Sequence, residues 1–141
     1  MSERLIADAK NIALEAARSA GLVLRQMLFH ASVREKGPKD LVTDADLAAQ
    51  SIIEGAIKKN FPDHVFVGEE SPGNWRDARG TDEWTWLVDP LDGTTNYVHR
   101  FPCFAVSIGL IKGNELKLGV VYDPMADDMY FDIRGGGATR N

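Results

Sequence analysis

Trp86-Leu87-Val88-Asp89-Pro90-Leu91-Asp92-Gly93-Thr94-Thr95-Asn96 is the stretch that organises the 141-residue chain. An apolar run ends in an aspartate, a proline follows, and a second aspartate stands three positions after the first. Gly93, Thr94, Thr95 and Asn96 are all turn-formers or helix-starters. The pattern predicts a strand over Trp84–Asp89, then a turn at Pro90. That turn would carry two carboxylates, the main-chain carbonyl of Leu91, hydroxyls, and the N–H groups of Gly93 and Thr94. Hard cations take the oxygens, and phosphate oxygens take the N–H groups. No Lys or Arg occurs in the stretch before Arg100. A phosphate arriving here meets carboxylates first, so it binds only with metal ions between. The expectation is a metal-dependent phosphate site.

Upstream, apolar residues recur at three- and four-residue spacing from Glu3 to His30, which predicts a long helix. Its alanines permit close approach of another element. Residues 31 to 42 read as a connection, with Asp40-Leu41-Val42 a short strand. Thr43 with Asp46 three positions on fits a capping box opening a second helix, stopped by Asn60 and Pro62. Asp46 has two readings, a cap or an acceptor in the outer shell of the metal site. Val65–Gly68 is a short strand that delivers Glu69 and Glu70, and Ser71–Glu83 is a polar loop. Downstream, Gly113-Asn114 separates two apolar runs and signals a hairpin of the II′ kind. Met129–Arg134 forms a further strand, and Gly135-Gly136-Gly137 is a turn. Cys103 is expected as a small buried hydrophobe. His30 and His64 stand alone at element ends and receive no role. The order predicts an α+β fold, two long helices packed on one face of a mostly antiparallel sheet.

The bulk numbers exclude several classes. Hydrophobic residues make up 44% and charged residues 26% of the chain, a globular balance for one domain spanning 1–141. The formal net charge is −5 with no basic block, which argues against nucleic-acid binding. No apolar run approaches the roughly 20 residues of a membrane span, and the start lacks the pattern of a signal peptide. A cytoplasmic location is the expectation.

Glu69, Glu70, Asp89 and Asp92 each stand at or just after a predicted strand end. If those strands are neighbours, four acids converge and repel unless cations intervene. All-oxygen ligands select Mg²⁺ or Mn²⁺ over Zn²⁺, and a two-metal site clamps a phosphate and activates water. Three other chemistries fit less well. Aspartyl-phosphate phosphatases separate their aspartates by one residue, whereas Asp89 and Asp92 have two between them. An EF-hand counted from Asp89 would need a Glu where Arg100 stands. A glycosidase pair leaves Gly93-Thr94-Thr95 without a purpose.

With these motifs in view, the chain resembles the inositol monophosphatase family of Mg²⁺-dependent, lithium-sensitive phosphomonoesterases. Gly68-Glu69-Glu70-Ser71 and the run from Trp86 to Pro102 carry the resemblance, supported by Asp40–Asp46, Phe104–Gly109 and Gly137-Ala138 with Asn141. The resemblance implies a layered α/β sugar-phosphatase fold of which this chain is the first domain. It implies that Glu69, Asp89 and the Leu91 carbonyl bind one metal, and Asp89 and Asp92 a second. It makes Glu69 and Thr94 the activators of water, and the N–H groups of Gly93 and Thr94 the seat of the phosphate. Glu70 and Asp46 fall in the outer shell or at a third metal, with Thr95 supporting the turn.

The resemblance implies Mg²⁺, with Mn²⁺ a possible substitute. The expected substrate is a small phosphorylated polyol or sugar, inositol monophosphate first, and the full-length form is expected to be a homodimer. Fructose bisphosphate, histidinol phosphate or a nucleotide 3′-phosphate are alternatives within the family. Family members are roughly twice as long, and their second half carries a Trp-Asp motif that completes the second metal site. The C-terminal domain is expected to be absent from this chain. Asp92 then lacks a partner ligand, and a non-catalytic metal-binding or assembly module becomes the alternative function.

Overall fold

Small residues set the packing of the longest element. Helix α1 (Ser2–Met27) turns Ala9, Ala13, Ala16, Ala17 and Ala20 inward, each essentially inaccessible to water. That stripe lets helix α2 (Asp44–Asn60) lie close, meeting it with Ala45 and Ala49. Helix α1 stops three residues short of its expected end. Leu28 and His30 bond instead to carbonyls three residues back, closing the chain into tight turns. The computed structural model describes residues 2–37, 40–68 and 82–141, so Glu69, Glu70 and most of the expected polar loop lie outside the described residues.

Among the described residues the remaining elements are β1 (Val33–Gly37), β2 (Asp40–Thr43), β3 (Val65–Gly68), β4 (Trp84–Asp92), α3 (Thr94–Val98), β5 (Ala105–Lys112), β6 (Glu115–Asp123), β7 (Asp128–Ile133) and β8 (Gly137–Arg140). Strands β3 to β8 form one six-stranded sheet in sequence order. Every pair is antiparallel except β3–β4, which is parallel. A parallel pair needs a crossover of about a dozen residues or more, and residues 69–83 link these two strands. The α+β class with both helices on one sheet face is as expected: α1 packs on β5, β6 and β7, and α2 on β3 and β4. Trp86, Val106, Leu110, Leu118 and Val120 fill the space between, all at or below 1% exposure. The opposite face is an open groove of about 1160 Å³ between Leu87, Gly109, Val121 and Tyr130.

Three local expectations need correction. Residues 31 to 42 are more than a connection, because β1 pairs antiparallel with β2 as a separate two-stranded sheet. The triple glycine does turn the chain, with the Gly136 N–H bonded to the Ile133 carbonyl, but β8 follows at once and pairs with β7. Asn141 closes that pair, exchanging bonds with the Met129 backbone through its own N–H and its side-chain oxygen. Cys103 is exposed, not buried. Phe104 takes the core position at the entry to β5, edge-on to Tyr97 with ring centres 4.9 Å apart. The hairpin at Gly113-Asn114 forms as expected, with φ of +64° at Gly113 alone, the first central residue, as a type II′ turn requires. Among the described residues no helix is long and apolar enough to cross a membrane.

Candidate metal and phosphate site

The proline does not end the strand. Strand β4 runs on to Asp92, and the turn falls at Gly93. What Pro90 does is break the ladder to β5. Asp89 pairs with Ser107 and Asp92 with Ala105, so β4 carries one residue more than its partner across this interval. Pro90 has no N–H to give. The Leu91 N–H turns instead to Asp89 Oδ1, 3.3 Å away, in an aspartate-type turn over the proline. The extra residue forms a bulge.

The bulge decides where the side chains go. On a regular strand, residues three apart point to opposite faces. Here Leu91 is fully buried in the helix-side core, while Asp89 is half-buried in the open groove and Asp92 is exposed. Both carboxylates therefore avoid the core despite their odd spacing.

Gly93 sits at φ +97°, a conformation that favours glycine. A Cβ there would also stand 3.1 Å from the Cys103 carbonyl oxygen. Asn96 holds that carbonyl through Nδ2 at 2.9 Å, which fixes the loop against the turn. Helix α3 starts at Thr94 with no side-chain cap. Thr95 lies in its first turn, and its carbonyl accepts the His99 N–H.

Asp46 joins this turn to helix α2. The capping box forms: the Thr43 backbone N–H donates to Asp46 Oδ2 at 2.9 Å, and the Asp46 N–H donates to Thr43 Oγ1 at 3.2 Å. The Thr43 hydroxyl also donates to Oδ2. The other oxygen, Oδ1, accepts from the Thr94 hydroxyl at 3.2 Å. That same hydroxyl lies 3.2 Å from the Leu91 carbonyl oxygen. One carboxylate, completely buried, thus caps a helix and holds Thr94, so the two readings of Asp46 are not exclusive. Its charge is felt nearby. Tyr97 is held protonated well above the usual phenol range, by burial first and then by Asp44 and Asp46. The Tyr97 hydroxyl donates to the Leu24 carbonyl at 2.7 Å, tying α3 to the end of α1.

The structure therefore brings Asp46, Leu91 and Thr94 together, with Asp89, Asp92 and Gly93 on the same strand end. The two glutamates fall in 69–81, outside the described residues. Strand β3 pairs Gly68 with Val88, the residues that precede Glu69 and Asp89 in sequence. Among the described residues no three His, Cys, Asp or Glu side chains form a group able to hold a metal. The described donors are all oxygens, which suits a hard cation, but they are fewer than the six that Mg²⁺ takes.

A sequence profile of the inositol monophosphatase family matches residues 6–141. The chain belongs to the inositol monophosphatase family. It is 47% identical over 132 residues to inositol monophosphatase 1 of Solanum lycopersicum, covering 92% of this chain and 48% of that one. The Thermotoga maritima IMPase superposes with a TM-score of 0.85 at 34% identity, over 95% of this chain and 51% of that one. An IMPase/NADP phosphatase complexed with Mg²⁺ and phosphate superposes at 0.84 with 25% identity, over 97% of this chain and 52% of that one. The chain spans about half the length of the inositol monophosphatases it matches.

The capping box of Thr43 and Asp46 forms as the sequence predicts, and what sequence reasoning missed is the additional bond from the Thr43 hydroxyl to the same Asp46 carboxylate. Sequence reasoning also left His64 without a partner. His64 accepts the indole N–H of Trp86, 22 positions away, and no local pattern reveals such a pair.

Proposed function

We propose that the protein hydrolyses small phosphate monoesters, inositol monophosphate foremost, with Mg²⁺ held at the end of β4. The observation that carries this reading is the Thr94 hydroxyl set between Asp46 and the Leu91 carbonyl, beside two carboxylates that a bulge turns away from the core. Family membership and the relative complexed with Mg²⁺ and phosphate support it.

Asp89, the Leu91 carbonyl and Glu69 would hold one Mg²⁺, and Asp89 with Asp92 a second; Mn²⁺ would substitute. Glu70 is assigned to the outer shell or a third metal, together with Asp46, and Thr95 supports the turn. Bound Mg²⁺ would supply the positive charge that carboxylates and phosphate together require, and would acidify water. The residues of the chain do the rest. The single Thr94 proton is directed at Asp46 and Leu91, so the lone pairs of the hydroxyl accept a bond from an incoming water. That contact aims a water lone pair at phosphorus, while Glu69 takes its proton. The Gly93 and Thr94 N–H groups receive the phosphate oxygens as charge builds on them. The Asp46 carboxylate, held by both donors of Thr43, keeps the Thr94 hydroxyl from rotating.

The test is phosphate release by the intact natural protein, with and without Mg²⁺, for wild type and Asp89→Asn. Inositol monophosphate is compared with fructose bisphosphate, histidinol phosphate and a nucleotide 3′-phosphate. Mg²⁺-dependent release that Asp89→Asn abolishes is expected. Release that ignores Mg²⁺, or that survives the substitution, overturns the proposal.

A further inference from the structure

At the opposite end of β4 from the acids, the rings of Phe61, Trp84 and Trp86 cluster around His64. Its imidazole stacks on Phe61 with centroids 4.8 Å apart and planes 8° from parallel, and on Trp84 at 5.8 Å and 17°. The tilted ring of Trp86 lies 6.3 Å away. The Trp86 indole is wholly buried, and its N–H donates to His64 Nδ1 at 3.0 Å. That bond requires an unprotonated Nδ1, so the ring is neutral with its proton on Nε2. His64 immediately precedes β3, the edge strand, whose one sheet partner among the described residues is β4. Phe66 of β3 lies opposite Trp86 in the ladder. The histidine therefore fastens the start of an edge strand to the buried tryptophan of its neighbour.

We propose that His64 is a proton-operated latch on the β3–β4 pair, closed when the neutral ring accepts the Trp86 N–H and opened when Nδ1 takes a proton. Protonation would set an N–H against the Trp86 N–H and leave the wholly buried indole without an acceptor, which is costly. The surrounding charges do not offset this. Burial disfavours the cation more than neighbouring Asp63 favours it, so His64 holds its neutral form to lower pH than a free histidine. On the far side, the Lys112 ammonium of β5 lies over the Trp84 ring, 5.1 Å from its centre. The last turn of α2 brings Lys59 and Lys58, the latter bound to Glu54. Asp82 and Glu83 lead into β4. The sign follows from the depressed value in the fold. The stability from the latch is complete above the unfolded histidine value of about 6.5 and declines as pH falls below it. The latch is independent of the phosphatase proposal, since it needs neither metal nor substrate.

The test follows the indole N–H signals of the protein by nitrogen–proton NMR from about pH 7.5 to about pH 5, spanning the histidine range. Trp86→Phe assigns the Trp86 signal. The signal is expected to be protected at neutral pH and to shift in step with the His64 ring as pH falls, with indole exchange about tenfold faster once the ring is protonated. His64→Asn places a carbonyl oxygen near the Nδ1 position and cannot titrate. It should retain the protected signal and remove its pH dependence. His64→Phe keeps a stacking ring without an acceptor and should lose the protection at every pH. A Trp86 signal that stays constant while His64 titrates overturns the latch, as does one that still titrates in His64→Asn. Both outcomes are readable even where His64→Phe fails to fold.

Discussion

The two ends of β4 are built on opposite rules. At its start, Trp86 sits in regular ladders to both β3 and β5, Trp84 pairs with β5, and their rings pack with Phe61 and His64. At its finish the ladder to β5 is broken by Pro90, and the Leu91 N–H turns to a side chain. The first end is held mainly by apolar burial and regular pairing, with one directional side-chain bond, from the Trp86 indole N–H to His64 Nδ1. The second is held by directional bonds to named oxygens: Asp89 to Leu91, Asp46 to Thr94, Asn96 to the Cys103 carbonyl. Oxygen donors gather where regular pairing is given up, because a ladder that used every backbone group would leave none for a ligand. The regular end is what makes the irregular one reproducible.

The contrast breaks hardest at Asp89. If the finish of β4 binds metal, Asp89→Asn should lower phosphate release by more than about 100-fold, above the 10- to 100-fold loss typical of outer-shell partners. Its thermal midpoint in the absence of metal should hardly move. Thr94→Val removes the hydroxyl between Asp46 and Leu91 and should cost about 10- to 100-fold in kcat with little change in KM. Steady-state kinetics would separate that outcome from a simple loss of substrate affinity.

A backbone change sharpens the comparison next. Gly93→Ala forces a side chain into φ +97° and against the Cys103 carbonyl. It should destabilise by about 1–3 kcal/mol in urea unfolding. The smallest effect is expected at Tyr97→Phe. Removing the hydroxyl that donates to the Leu24 carbonyl should cost about 1 kcal/mol, read from the same unfolding curves. Catalysis should be left nearly intact.

Much of the fold was legible because its signals are local. Thr43 and Asp46 announce the start of α2 by their spacing, and Gly113-Asn114 announces the β5–β6 turn by its chemistry. The alanine stripe of α1 follows from helical period alone. Elsewhere the deciding partner is distant in sequence. Val33-Arg34-Glu35-Lys36-Gly37 lacks an alternating apolar pattern, and its strand shows only through its pairing with β2. The strand after the triple glycine depends on Asn141 meeting Met129. The bulge at Pro90 was hidden because a sequence shows a missing N–H but not the register of the strand opposite. Asp46 was readable as a cap from three residues, while its bond to Thr94 spans 48 positions.

The central claim, that the finish of β4 is a cation site, is tested most directly by adding Mn²⁺ in small amounts and following the backbone amide signals of the protein by NMR. Line broadening is expected to begin at Asp89, Leu91, Asp92, Gly93 and Thr94, to reach Asp46 next, and to spare Trp84 and the His64 ring. Asp89→Asn should abolish it. Broadening spread evenly over the surface acids, or unchanged in Asp89→Asn, would contradict the account.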